Sequence, residues 1–201
     1  GRTVAEVVPA AVSVAREAAR GRGLVALDVG PIGQLLEPTG TLRFEEAVDI
    51  FAQTVRAGVQ AGADLILIET MTDLQEARAA LLAAKENSSL PVIVTMTYEE
   101  RGRTFLGCDP ASAALTLEGM GADAIGVNCS LGPREMPPLV RELTRWSTLP
   151  IAIKPNAGLP DPGGAGYDIT AEEFAGSMAE LTGLGVKLYG GCCGTTPEYI
   201  A

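Results

Sequence analysis

The chain has 201 residues, of which 47% are apolar, and its 25 acidic residues outnumber 15 basic ones to give a net charge of -10. One buried core is expected at this length, and the acidic balance argues against nucleic acid or an anionic membrane as a partner. No apolar run approaches the roughly 20 residues that span a bilayer, and no signal-peptide pattern is found, so we expect a cytoplasmic protein.

Two further features of the composition limit the catalytic groups and metal ligands that the protein can use. The sequence contains no histidine, which excludes Ser-His-Asp and Cys-His catalytic groups and zinc sites built on imidazole. Four cysteines without a secretory signal indicate metal ligands or core thiols rather than a disulfide scaffold.

Helical and strand patterns alternate along the chain. It opens on a helical pattern that contains Pro9. Six continuously apolar runs follow, and such runs indicate strands that are buried on both faces. The runs span residues 24–29, 65–70, 91–97, 124–129, 150–155 and 186–191.

Helical patterns lie between these runs, as in the stretches that begin at Phe44 and at Thr72. Several carry recognisable start signals. These signals are Asp109 followed by Pro110, a capping box of Thr170 and Glu173, and Thr196 followed by Pro197 near the last residue.

This alternation predicts an α/β fold with parallel strands and right-handed crossovers, either a barrel or a doubly wound sheet. Six strands are two short of a closed (β/α)₈ barrel. We therefore expect residues 1–201 to form a single domain, an incomplete barrel that lacks the first two strand–helix units and the last helix.

Functional residues of α/β folds follow the C-terminal ends of the strands. Three of the four cysteines occupy such positions, in two different segments of the chain. The residues at these ends are Asp28, Glu69, Thr97, Tyr98, Asn128, Cys129, Asn156, Cys192 and Cys193.

The three strand-end cysteines suit a tetrahedral zinc ion with one position open, which is the catalytic arrangement. Neighbouring side chains on a strand point to opposite faces, so Cys192 and Cys193 can share one centre only if the backbone leaves strand geometry. Gly190, Gly191 and Gly194 permit that. A vicinal disulfide or three core thiols remain alternatives, and Cys108 has no partner motif.

The motifs "GVNCSLGP" and "GGCCGTTPEYI", with "LIETMTDLQEA" and "IKPNAGLP", resemble the homocysteine S-methyltransferase family from about residue 11 to the last residue. The likeness is greatest to the homocysteine-binding barrel of cobalamin-dependent methionine synthases, because Gly194 follows the cysteine pair. The resemblance implies that Cys129, Cys192 and Cys193 bind zinc and that the homocysteine sulfur takes the fourth position.

The resemblance also implies a methyl donor and further substrate-binding residues. Methylcobalamin, held by a separate module beside a folate-binding module, would supply the methyl group that gives methionine. Glu69 matches the glutamate that receives the substrate ammonium, and a structural ion pair at the strand end is its alternative. Asn156 matches a residue that fills the fourth zinc position without substrate, and a turn-forming asparagine is its alternative. Asp28 lies where relatives often have a small or hydroxyl residue near the substrate carboxylate. Because a carboxylate there would repel another, Asp28 would instead face a backbone amide or the substrate ammonium. Asn128 would orient the cysteine loop or pair with backbone.

Two other functions remain open from the sequence. A metal-free barrel lyase or phosphate-sugar enzyme would use Lys154 as a Schiff-base residue and Gly190 with Gly191 as a phosphate loop. A lysine at this position is more often a paired charge. The third alternative is a non-catalytic fragment that at most holds a metal. The Gly/Pro-rich stretch 158–169 is either a lip over the site or a plain connection.

Overall fold

Six parallel strands alternate with helices in the computed structural model, which describes residues 1–160, 163 and 166–201. The strands pair in chain order, β1 through β6. They are β1 Ala26–Val29, β2 Leu65–Met71, β3 Val92–Met96, β4 Ala124–Asn128, β5 Ile151–Lys154 and β6 Val186–Tyr189. All six fall inside or within two residues of the predicted apolar runs.

The helices pack on one side of this sheet. They are α1 Val4–Ala19, α2 Phe44–Gln60, α3 Leu74–Asn87, α4 Pro110–Gly119, α5 Pro137–Trp146, α6 Ala171–Thr182 and α7 Pro197–Ile200, with a 3-10 turn at Pro133–Glu135. α5 is the one helix among these that no sequence signal predicted. The adjacent prolines Pro137 and Pro138 hid it, although proline at the first helical position loses no hydrogen bond.

The predicted helix starts are confirmed for the most part. Asp109 accepts a hydrogen bond from the Ser112 N–H at 2.8 Å, and Thr170 caps α6 with Glu173 returning the bond. Thr196 precedes α7 but makes no side-chain cap bond. These signals depend on neighbours three residues away, which is why the sequence predicts them well.

The core lies between the helices and the outer face of the sheet. Ile66, Ile68, Val94, Ile125 and Ile153 from four neighbouring strands are essentially unexposed there. The other face, called the inner face here, carries the alternate residues of each strand. Within the described residues β1 and β6 each pair with one strand only, so the sheet has the order of a (β/α)₈ barrel but is not closed.

Two local features position the strand ends. The register between β2 and β3 shifts after Ile68, and Thr70 takes a positive φ of 62°. Such an irregularity redirects side chains at the end of a strand. No helix in the described part of the chain is long and apolar enough to cross a membrane.

Candidate metal centre

Four polar side chains lie on the inner face of the sheet. Asp28 of β1 is opposite Leu67 in the register, two residues from Glu69 of β2. Asn128 of β4 is opposite Lys154 of β5. Because side chains alternate along a strand, these positions share the face turned away from the helices.

Three thiols meet at the C-terminal edge of this face. Cys129 follows β4, and Cys192 and Cys193 follow β6. Their Sγ atoms all lie within 4.8 Å of one another, and those of Cys129 and Cys193 are 3.7 Å apart. All the cysteines are free thiols, so the alternative of a vicinal disulfide is not what the structure has. Within the described residues these three form the one group of potential metal ligands.

The end of β5 joins the two cysteine loops. Each of three consecutive residues there accepts a backbone N–H from one cysteine. The bonds run from Cys129 N–H to the Lys154 carbonyl at 3.1 Å, from Cys192 N–H to the Pro155 carbonyl at 2.8 Å, and from Cys193 N–H to Asn156 Oδ1 at 3.1 Å. Asn156 is 4% exposed, so its carboxamide is a buried part of this junction.

The loop after β4 has an unusual backbone. Cys129 and Ser130 both have positive φ values, 61° and 62°, and neither is glycine. L-residues rarely adopt this conformation, and its cost is typically met at functional sites. The consequence here is that the Cys129 thiol turns back toward the end of β6.

The three glycines around the cysteine pair have two different functions. β6 ends at Tyr189, so both cysteines lie beyond strand geometry, as predicted. Only Gly194 of the three has a positive φ, 79°. A Cβ on Gly190 would lie 2.9 Å from Cγ of Lys154, and one on Gly191 would lie 2.5 Å from the Thr195 side chain. Gly190 and Gly191 therefore allow close approach rather than an unusual turn.

Asn128 is a buried hydrogen-bonding centre with no exposed surface. Its Oδ1 accepts from the Thr70 N–H at 2.8 Å and from the Thr95 hydroxyl at 2.7 Å. Its Nδ2 donates to Thr70 Oγ1 at 2.8 Å and lies 3.8 Å from the Cys192 sulfur. These contacts lock the ends of β2, β3 and β4 together, and they direct an N–H donor at a thiol.

The thiols act on one another electrostatically. Burial, together with the neighbouring Cys129 and Cys193, raises the pKa of Cys192 to about 11, while the Asn128 hydrogen bond opposes the rise. The Cys192 thiol therefore resists losing its proton unless a cation is present. A divalent ion removes that obstacle, because it stabilises thiolate directly.

Lys154 and Glu69 form an ion pair across the inner face, and each side chain is 20% exposed. Burial lowers the pKa of Lys154, whereas negative charge on Cys192 or Asp28 acts to raise it. The prediction that Lys154 is a paired charge is confirmed. Its stem occupies the space beside Gly190, and its amine is engaged by Glu69.

Tyr167 is the residue of this centre that the sequence did not reveal. Its ring covers Gly194, and its hydroxyl lies close enough to Cys193 for the two groups to interact. Partial burial and the nearby Cys193 raise the pKa of Tyr167. Tyr167 belongs to the 158–169 stretch, where it bridges to Pro160. The predicted lip or connection includes residues 161, 162, 164 and 165, which lie outside the described residues.

Cys108 takes no part in the centre. It lies before α4, where its Sγ is 3.3 Å from the Asp109 carbonyl oxygen, and burial raises its pKa to about 11. A groove of about 340 Å³ lies elsewhere on the molecule. It is lined by α6, β6 and α7 and contains no cysteine.

The profile of the family described as homocysteine S-methyltransferase matches residues 1–201. The chain belongs to this family. It is 36% identical over 180 residues to the methionine synthases of Mycobacterium leprae and Mycobacterium tuberculosis. The aligned part is 86% of this chain but 15% of each relative, so the chain spans a small fraction of their length.

Solved structures establish the fold. The apo form of the homocysteine methyltransferase MmuM from Escherichia coli superposes with a TM-score of 0.82 at 23% identity, covering 100% of this chain and 73% of that one. Its metallated form gives 0.81 at 22% identity, covering 98% and 68%. The carboxyl transferase domain of Rhizobium etli pyruvate carboxylase is less similar, with a TM-score of 0.62 at 19% identity over 94% of this chain and 30% of that one.

Proposed function

We propose that this chain binds homocysteine and presents its sulfur for methylation, giving methionine, with a zinc ion held by Cys129, Cys192 and Cys193. One observation carries the proposal. Three free thiols from two distant loops lie within 4.8 Å of one another at the C-terminal edge of a barrel-type sheet. Membership of the homocysteine S-methyltransferase family supports the substrate and the reaction class.

The three cysteines suit zinc by their chemistry and their spacing. Thiolate sulfurs about 2.3 Å from a tetrahedral zinc ion are about 3.8 Å from one another. The Cys129 and Cys193 sulfurs are 3.7 Å apart. Three protein ligands leave one position open, as in catalytic sites. A zinc ion held there would keep a fourth, incoming thiol deprotonated near neutral pH.

The chain's own residues hold the thiols and orient the substrate. Asn128 and Asn156 fix the cysteine loops through buried hydrogen bonds. Asn156 could enter the fourth zinc position, as the resemblance implies, only after its Oδ1 leaves the Cys193 N–H. Glu69 is proposed to receive the substrate ammonium, and Asp28 adds negative charge on the same face.

The methyl donor we propose is methylcobalamin on a separate module, with a folate-binding module as a further partner. The motif of the cysteine pair followed by Gly194, which resembles the cobalamin-dependent branch, supports this. The matching relatives are named methionine synthases and are far longer than this chain. Free thiols of this kind persist in a reducing compartment, which supports a cytoplasmic location.

Zinc-dependent release of a proton tests the proposal. The zinc-loaded protein should bind homocysteine and release about one proton per molecule bound, because the ligand enters as thiolate. Calorimetry in buffers of different ionisation enthalpy measures this number. Cys129→Ser should lose both zinc and proton release, whereas Cys108→Ser should keep both. Homocysteine binding that needs no metal and releases no proton would contradict the proposal and favour the metal-free alternatives.

A further inference from the structure

Lys154 runs across the inner face of the sheet beside the thiol cluster. It is the last residue of β5, and its stem passes over Gly190, where a Cβ would lie 2.9 Å from the lysine Cγ. Its ammonium reaches Glu69 on β2, three strands away in the sheet order. The lysine therefore spans the part of the inner face next to the cysteines.

The Lys154–Glu69 pair has unused binding capacity. An ammonium group has three donors, and a carboxylate accepts at about four positions. Among the contacts of the described residues, each of these two groups makes one side-chain hydrogen bond, to the other. Both side chains are 20% exposed, so they are neither sealed in the core nor free in solvent. Partial burial strengthens charge interactions with a ligand that enters beside them.

The same strand end fixes both the lysine and the thiols. The Lys154 carbonyl accepts the Cys129 N–H at 3.1 Å, and the next residue, Pro155, accepts the Cys192 N–H at 2.8 Å. Lys154 also lies near enough to Cys192 for a negative charge on that thiol to act on its ammonium. A thiol ligand seated at the cysteines would therefore extend over the part of the inner face that holds the ion pair. A ligand with both a carboxylate and an ammonium at that end would meet one complementary charge for each.

We propose that Lys154 binds the α-carboxylate of the substrate, beside the α-ammonium that the proposed function already assigns to Glu69. This inference rests on the proposed function and identifies the pair as its specificity determinant for amino-acid thiols. The ligand opens a single ion pair and inserts, so that each of the four charges has an opposite neighbour. A thiol that lacks either group leaves one protein charge poorly matched, and a site built for a polar group rejects such an analogue.

Trimmed thiols separate the two roles. The test compares the affinity of the zinc-loaded full-length protein for homocysteine, for 3-aminopropane-1-thiol, which lacks the carboxylate, and for 4-sulfanylbutanoate, which lacks the ammonium. The unmodified protein should prefer homocysteine to either analogue on the order of 10- to 100-fold. Lys154→Met should abolish the preference for homocysteine over 3-aminopropane-1-thiol and keep the preference over 4-sulfanylbutanoate. Glu69→Gln should do the reverse.

Two further variants serve as controls for the role of Lys154. Lys154→Arg keeps the charge and should retain most of the preference for a carboxylate, even if Lys154→Met folds poorly. Lys187→Met removes an exposed lysine of β6 and should change neither preference. If both Lys154→Met and Lys154→Arg weaken all three thiols equally with zinc still bound, the pair is structural and this inference is overturned, although the proposed function stands. If the zinc-loaded unmodified protein binds none of the thiols, both are overturned.

Discussion

Gly194 shows how much one residue can determine at this centre. It has a φ of 79° and lies under the ring of Tyr167, directly after the two cysteines. A side chain there meets two obstacles, a left-handed backbone and an occupied space. The resemblance identifies this position as one that separates branches of the family, and the contact with Tyr167 offers a physical reason why it is small.

Gly194→Ala should therefore lower the free energy of unfolding more than alanine does at other glycines with a positive φ. Gly62 is the matched control, because its φ is 86° and nothing lies within 4 Å of a Cβ built there. Gly62→Ala should lower the free energy of unfolding by about 1–2 kcal/mol through backbone strain alone. Gly194→Ala should lower it further and weaken zinc binding, as measured by urea unfolding and a competing chelator.

A second variant isolates the contact with the ring. In a Tyr167→Gly background, Gly194→Ala should lower the free energy of unfolding by no more than Gly62→Ala does, because the ring is absent. Equal losses for Gly194→Ala and Gly62→Ala in the unmodified background would show that Tyr167 does not limit this position.

Helix α3 connects the sheet to the loop after β1. Its buried face consists largely of alanines, which let the helix approach the sheet and α2 closely. Glu76 lies on that face, 5% exposed, and accepts the Ile32 N–H at 2.6 Å. Burial raises the pKa of Glu76, and Asp73 adds to the rise, while the Ile32 bond opposes it.

The raised pKa of Glu76 predicts that this residue makes the folded protein less stable as pH rises. Glu76 titrates at its ordinary value of 4.5 when unfolded and above it when folded. Between these values the folded chain binds more protons, so this group's contribution to the free energy of unfolding falls as pH rises. Glu76→Gln keeps an acceptor for Ile32 without the charge. It should be more stable than the unmodified protein at pH 7, with the gain vanishing below pH 4.5.

Urea unfolding from pH 4 to 7.5 measures the difference between the two proteins. Glu118 provides a control of opposite sign, because hydrogen bonds from Thr148 and Ser147 lower its pKa. Glu118→Gln should be less stable at pH 7, with the loss shrinking as pH falls through the folded pKa. A Glu76→Gln protein that is the less stable one at pH 7 would contradict the prediction.

Strands and helix starts could be predicted from the sequence because they depend on local patterns. Side-chain contacts across the sheet could not. Continuous apolar runs located all six strands, and Asp109 and Thr170 marked helix starts correctly. α5 was missed because its two prolines resemble a loop. The cysteine cluster could be inferred because parallel strands bring their C-terminal ends together.

The rest of the site depends on tertiary contacts. The partner of Lys154 is Glu69, 85 residues away in the chain. Tyr167 reaches the cysteines from a Gly/Pro-rich stretch that has no regular pattern. Asn156 was expected to face the metal, whereas its Oδ1 is engaged by the Cys193 N–H. Periodicity and spacing contain no information on such pairings.

At the scale of the whole molecule, the order of the strands in the sheet brings the three cysteines together. Cys129 and the cysteine pair are more than sixty residues apart, and the adjacent strands β4, β5 and β6 bring their loops to one edge. The polar side chains Asp28, Glu69, Asn128 and Lys154 are spread over the inner face below that edge. A ligand bound there would touch residues from most of the strands, so binding should depend on the integrity of the entire sheet.

X-ray absorption at the zinc edge tests the central claim most directly, because it counts the sulfur atoms around the metal. The zinc-loaded protein should give about three sulfurs near 2.3 Å and one lighter ligand, and homocysteine should raise the count to about four. A sulfur count of two or fewer, or one that homocysteine leaves unchanged, would contradict the account.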